Sequence, residues 1–79
     1  MRKYNGKSNI IGEKIEQALK EKNMTKEDLW RKLQLMGINI VYVHLFRIMK
    51  GTVIVKDFEL LAICKILDID CNEFKKLLD

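Results

Sequence analysis

The sequence predicts an all-α protein of one domain, built from five short helices. Three observations carry that prediction. Apolar residues recur at helical spacing in successive segments, and no segment alternates with the period of a strand. The 79 residues contain no proline, which suits short helices joined by short connections. Helix start and stop signals punctuate the chain at regular intervals. A chain of this length buries about 60–65% of its unfolded surface, and its 48% hydrophobic content is sufficient for one core.

Residues 1–8, MRKYNGKS, are polar and basic without periodicity, and they read as a flexible basic arm before a domain at 9–79. Asn9 is placed to cap a first helix reaching about Lys22, with Ile11, Ile15, Ala18 and Leu19 on its inner side. Thr25-Lys26-Glu27-Asp28 has the form of a capping box with Asp in the fourth position. The second helix then carries Leu29 and Leu33 inward, with Met36 as an added core candidate, and Gly37 stops it. Ile38-Asn39-Ile40 connects it to a third helix from about Val41 to Lys50, stopped by Gly51. At 100° per residue, Val41, Tyr42, Ile48 and Met49 fall within about 60° of Leu45, which makes them the predicted core side. Val43, Arg47 and Lys50 lie opposite, with His44 and Phe46 on the flanks.

Residues 52–56 form an extended link. Asp57 is the predicted cap of a fourth helix, with Leu60, Leu61, Ile63, Cys64 and Leu67 facing inward. Asp70-Cys71-Asn72-Glu73 reads as a second capping box, opening a short fifth helix with Phe74, Leu77 and Leu78.

Charge is unevenly distributed. Residues 1–56 hold twelve Lys/Arg against five Asp/Glu, whereas residues 57–79 hold three against six. The net +4 therefore combines a basic front with an acidic rear, and the basic front suits an anionic partner such as nucleic acid. No apolar run approaches the ~20 residues that span a bilayer, and no signal-peptide pattern is present. A cytoplasmic protein without membrane contact is expected. The single histidine, the lack of a Gly-rich phosphate loop and the lack of a nucleophile–base pair argue against an enzyme and against a cofactor. Cys64 and Cys71 make no CxxC pair and have no histidine cluster beside them, so no metal site is expected. Cys64 reads as a core residue and Cys71 as a helix-start residue, seven positions apart and not expected to bridge.

Five segments, taken in order, carry a resemblance. They are N-I-I-G-E-K-I at 9–15, M-T-K-E-D-L at 24–29, K-L-Q-L-M-G-I-N-I at 32–40, R-I-M-K-G at 47–51, and K-D-F-E-L-L-A-I-C-K-I-L at 56–67. Together they resemble the Cro/C1-type helix-turn-helix family, also called the XRE family, over about residues 9–78. The resemblance implies a compact five-helix lambda-repressor-like fold, with the second and third helices as the helix-turn-helix and the third in the major groove of double-stranded DNA. It also implies a transcriptional regulator, expected to be a repressor, bound to DNA as a homodimer. On that reading Arg47 is the main base-contacting residue through bidentate bonds to guanine. Tyr42, Val43 and Phe46 rest against thymine methyls or the sugar–phosphate wall. Lys26, Lys50 and Lys56 hold phosphates, and Arg2, Lys3 and Lys7 add sequence-independent affinity. The many lysines and isoleucines beside only three arginines point to an AT-rich bacterial or mobile-element source.

The departures from the family pattern are also informative. Lys26 stands where the family usually has Gln, Trp30 where it has a small residue, and Val41, Val43, His44 and Phe46 where it has polar residues. The apolar third helix leaves a protein-interaction module open as the alternative reading. Many members bury an Arg of the first helix against a Glu near the end of the third, at positions matching Leu19 and Met49. Losing one partner of such a pair costs roughly 3–5 kcal/mol, whereas replacing both is often neutral or stabilising. The double replacement predicts that Leu19 and Met49 meet in a maintained core.

Overall fold

The computed structural model describes residues 3–78. It contains α1 at Gly12–Glu21, α2 at Lys26–Leu35, α3 at Tyr42–Lys50, α4 at Asp57–Leu67, and a 3₁₀ helix at Cys71–Leu78. The fifth helix is where the sequence predicts it, but it is wound with the tighter pitch. Among the described residues the only β pairing is an isolated bridge between Tyr4 and Lys7. That bridge closes a tight turn through Asn5 and Gly6, both at positive φ. Ser8 N–H then bonds to the Gly51 carbonyl at 2.9 Å, which ties the chain start to the end of α3. Arg2, assigned to the basic arm, lies outside the described residues.

Asn9 is a cross-brace rather than the helix cap. Ile11 occupies the cap position of α1 without a side-chain cap bond. The Asn9 carboxamide accepts from Ile11 N–H at 3.2 Å and donates to the carbonyls of Ile48 at 3.1 Å and Val53 at 2.7 Å. One side chain therefore holds the entry of α1 against the exit of α3. The two helices approach so closely there that a Cβ on Gly12 would fall inside the Met49 carbonyl. Only glycine permits that contact.

The capping box of α2 is present as predicted. Thr25 Oγ1 accepts from Asp28 N–H at 3.1 Å, and the Asp28 carboxylate accepts from Thr25 N–H at 3.1 Å. Those hydrogen bonds hold the Asp28 carboxyl below the ordinary carboxylate range. Gly37, at φ 84°, turns the chain out of α2, and Ile38 N–H bonds back to the Leu33 carbonyl at 3.0 Å. Met36 is 43% exposed and does not join the core.

The inner side of α3 is Leu45, Ile48 and Met49. Val41 and Tyr42, predicted for the same side, are exposed instead. Val41 is the cap residue with extended backbone, so the helical wheel does not apply to it. Tyr42 is drawn aside by a ring contact described below. Leu19 and Met49 are both buried and line one cleft between α1 and α3, where the coupled replacement predicts them.

At α4 the cap is Lys56, whose N–H bonds to the Glu59 carboxylate at 2.9 Å; Asp57 is the first helical residue, not the cap. Ala62, Ile63, Cys64 and Leu67 are buried and Leu60 half-buried, but Leu61 is exposed. The run Leu60-Leu61-Ala62-Ile63 is apolar all round, so periodicity alone selects no face. Asp70 accepts from Asn72 N–H at 3.0 Å, while Glu73 reaches Lys14 of α1 at 3.5 Å instead of closing a reciprocal box. Phe74 and Leu77 pack against the core, and Leu78 is exposed.

Candidate nucleic-acid interface

The α2–α3 connection, residues 36–41, is held from α2. Trp30 donates its indole N–H to the Ile40 carbonyl at 2.7 Å, and the Gln34 amide donates to the same oxygen at 2.7 Å. Both α2 side chains thus fix the point from which α3 starts. Trp30 is half-buried, and Tyr42 meets it edge-on, with ring centroids 6.1 Å apart and planes at 90°. Trp30 also packs against the core while its indole N–H holds the connection.

The outward side of α3 carries Val43, Phe46, Arg47 and Lys50, all exposed. Phe46 gathers cations. Lys26 Nζ, from the first turn of α2, lies 4.6 Å from its ring centroid, and Lys50 Nζ lies 5.2 Å away. Such contacts contribute about 0.5–1 kcal/mol at exposed sites. Their larger effect is positional, because they hold two ammonium groups over the middle of α3. Lys26 also pairs with Glu16 of α1 at 3.6 Å, a surface contact that water and salt weaken. Arg47 lies next to Phe46 in sequence and has no ion-pair partner among the described residues.

The structure thus brings Lys26, Lys50 and Phe46 together. It places Lys56 elsewhere, with Nζ 5.8 Å from the Phe58 ring at the start of α4. Tyr42 is shared between its contact with Trp30 and solvent. Arg31, a further α2 cation, is engaged with Glu27 at 3.7 Å and Asp28 at 4.0 Å.

One contact was not anticipated from the sequence. His44 is partly buried, and its Nε2 lies 3.7 Å from the carboxylate of Glu59, which is only 6% exposed. Glu59 also accepts from Lys56 N–H, so one buried carboxylate joins α3 to the start of α4. The available signal was the spacing Lys56-Asp57-Phe58-Glu59, which puts an acid in the fourth position of a helix start.

A family model for the Cro/C1-type helix-turn-helix DNA-binding domain matches residues 14–77. The chain belongs to that family. The match runs from α1 into the 3₁₀ helix, so it takes in the helix-turn-helix of α2 and α3 together with its supports. No curated protein and no solved structure matches the chain. Within the helix-turn-helix frame, the Phe46 cluster is built from the start of α2 and the outward side of α3. Among the described residues no group of three or more His, Cys, Asp or Glu side chains is arranged to hold a metal ion. No helix among them is long and apolar enough to cross a membrane.

Proposed function

We propose that the protein is a sequence-specific transcriptional repressor that binds double-stranded DNA as a homodimer in the cytoplasm, with α3 in the major groove and no catalytic step. The observation that carries this reading is the gathering of Lys26 and Lys50 around Phe46 beside the exposed Arg47. Arg47 is the proposed reader of guanine, whose O6 and N7 match the guanidinium fork. Val43 and Phe46 make no hydrogen bonds to base edges and are assigned to thymine methyls and sugars. Tyr42 is assigned the same role with its exposed edge. Lys26 and Lys50 are assigned to phosphates, and Lys56 to a phosphate farther along the backbone. For Lys26 the phosphate replaces Glu16, an exchange that costs little because an exposed ion pair contributes only about 0–1 kcal/mol.

Selection from random duplexes, followed by salt-titrated gel shifts, tests the reading. Arg47→Ala is expected to weaken the preferred site by about 1–3 kcal/mol and to relax specificity at one position. Lys26→Ala is expected to weaken all duplexes alike and to lower the salt slope by roughly one unit. Selection that enriches no sequence would overturn the proposal.

The alternative is a protein-binding surface. It is favoured by the exposure of Val43 at 55%, Phe46 at 39% and Tyr42 at 38% on neighbouring turns. In that case Phe46→Ala abolishes capture of a partner protein, while DNA affinity stays weak and indifferent to sequence.

A further inference from the structure

Asp68 ends α4 in the left-handed conformation, at φ 53° and ψ 44°. Ile69 N–H then bonds back to the Cys64 carbonyl at 2.9 Å, and the Ile69 side chain is buried. This reversal returns the chain over the last turn of α4. It sets the thiol of Cys71, the first residue of the 3₁₀ helix, 3.8 Å from the thiol of Cys64. The two cysteines are the only ones in the chain; Cys64 is buried and Cys71 exposed.

We propose that Cys64 and Cys71 form a thiol–disulfide modification site that takes a low-molecular-weight disulfide as its oxidant. The difference in exposure assigns the roles. The Cys71 thiolate attacks one sulfur of the external disulfide, the external S–S bond breaks, and one small thiolate leaves. A mixed disulfide now sits on Cys71. The Cys64 thiolate attacks the Cys71 sulfur, the Cys64–Cys71 bond forms, and the second small thiolate leaves. Two protons pass from the protein thiols to the two departing thiolates. The protein loses two electrons and the external disulfide gains them.

Closure brings the sulfurs from 3.8 Å to about 2.0 Å. Cys71 is exposed and has room to turn, whereas Cys64 is fixed in the core. In the reduced protein burial and the neighbouring Cys71 thiol push the Cys64 thiol up to about 12; burial, the larger cause, persists once Cys71 carries the mixed disulfide, so the second step draws on a small thiolate fraction and is the slower one at neutral pH. The bond joins the end of α4 to a 3₁₀ helix that already reaches α1 through Glu73 and Lys14. The Phe46 cluster of α2 and α3 uses neither thiol, so the site stands independently of the DNA-binding proposal.

The test uses the full-length reduced protein with oxidised glutathione as the probe. Samples are quenched with acid, alkylated and weighed intact. The expected product is a monomer lighter by two hydrogen masses, carrying no glutathione and no alkyl group, and restored by dithiothreitol. Its formation from the mixed disulfide accelerates about tenfold per pH unit below the Cys64 pKa. Cys64→Ser stops at a glutathione adduct on Cys71, and Cys71→Ser leaves the buried thiol unmodified in the folded protein. Oxidised wild type melts at a higher temperature than reduced wild type, because the bond fits a turn the fold already makes. A persistent glutathione adduct on wild type, a disulfide-linked dimer, unreacted thiols or a lower melting temperature in the oxidised form would each overturn the proposal.

Discussion

The starts of α2 and α3 are held in opposite ways. A helix start leaves backbone N–H groups without intrahelical partners. α2 meets that need within four residues, through the reciprocal Thr25–Asp28 bonds, and Glu27 and Asp28 add negative charge where the helix dipole favours it. α3 has neither device. Val41 offers no side-chain cap, and no acid stands in its first turn. Its start is fixed from outside, by Trp30 and Gln34 on the Ile40 carbonyl and by Trp30 against the Tyr42 ring. A self-capped helix supports one that depends on it. The dependent helix keeps its first turn free of acids, which would repel the phosphates it is proposed to approach.

Four variants break or sharpen that contrast. Trp30→Ala removes both the indole donor and the packing, and is expected to cost about 3 kcal/mol by urea denaturation. Its hydrogen-exchange signature should be loss of protection in α3 with α2 retained. If α2 loosens first, α3 does not depend on Trp30 as argued. Combining Trp30→Phe with Gln34→Ala takes both side-chain donors from the Ile40 carbonyl. The pair should cost about 2 kcal/mol, and more than the sum of the two single changes, because either donor alone still satisfies the oxygen. Strict additivity would show that the two bonds act separately.

Thr25→Ala should cost about 1 kcal/mol, the usual value of an N-cap, with exchange increasing in the first turn of α2. The smallest effect is expected from Asp28→Asn, and it depends on pH. The folded carboxyl is held below the 3.8 of an unperturbed Asp. Its contribution is therefore fully present above that value and is lost as pH falls through the folded value. Melting curves of wild type and Asp28→Asn should differ at neutral pH and converge in acid. A difference that persists in acid would assign the effect to something other than the carboxylate.

Local signals were legible where one element carried all the information. The box at Thr25–Asp28, the stops at Gly37 and Gly51, and the inward sides of α1 and α2 follow from spacing and backbone chemistry. The joint burial of Leu19 and Met49 agrees with what the family resemblance implied, since these positions match a buried charge pair in many members and are both apolar here. Spacing misleads where an element's setting matters. Val41 is a cap residue with extended backbone and lies off the helical wheel, and Leu61 sits in a run apolar on every side. Asn9 has the spacing of a cap, but the partners of its amide are 39 and 44 residues away and spacing does not show them.

The sequence by itself determined that the chain is helical, where most helices start and stop, and that its basic residues concentrate ahead of α4. Those properties depend on neighbours within one or two turns, and such neighbours are visible in the order of residues. Only the tertiary structure decided that Lys26 and Lys50 share the Phe46 ring, that Glu59 faces His44, and that Cys71 returns to Cys64. All three contacts join separate helices. The third depends on a single left-handed residue, Asp68, whose conformation is stabilised by the burial of Ile69 after it. Contacts of that kind are set by how helices pack and by where a turn sends the chain, and residue spacing encodes neither.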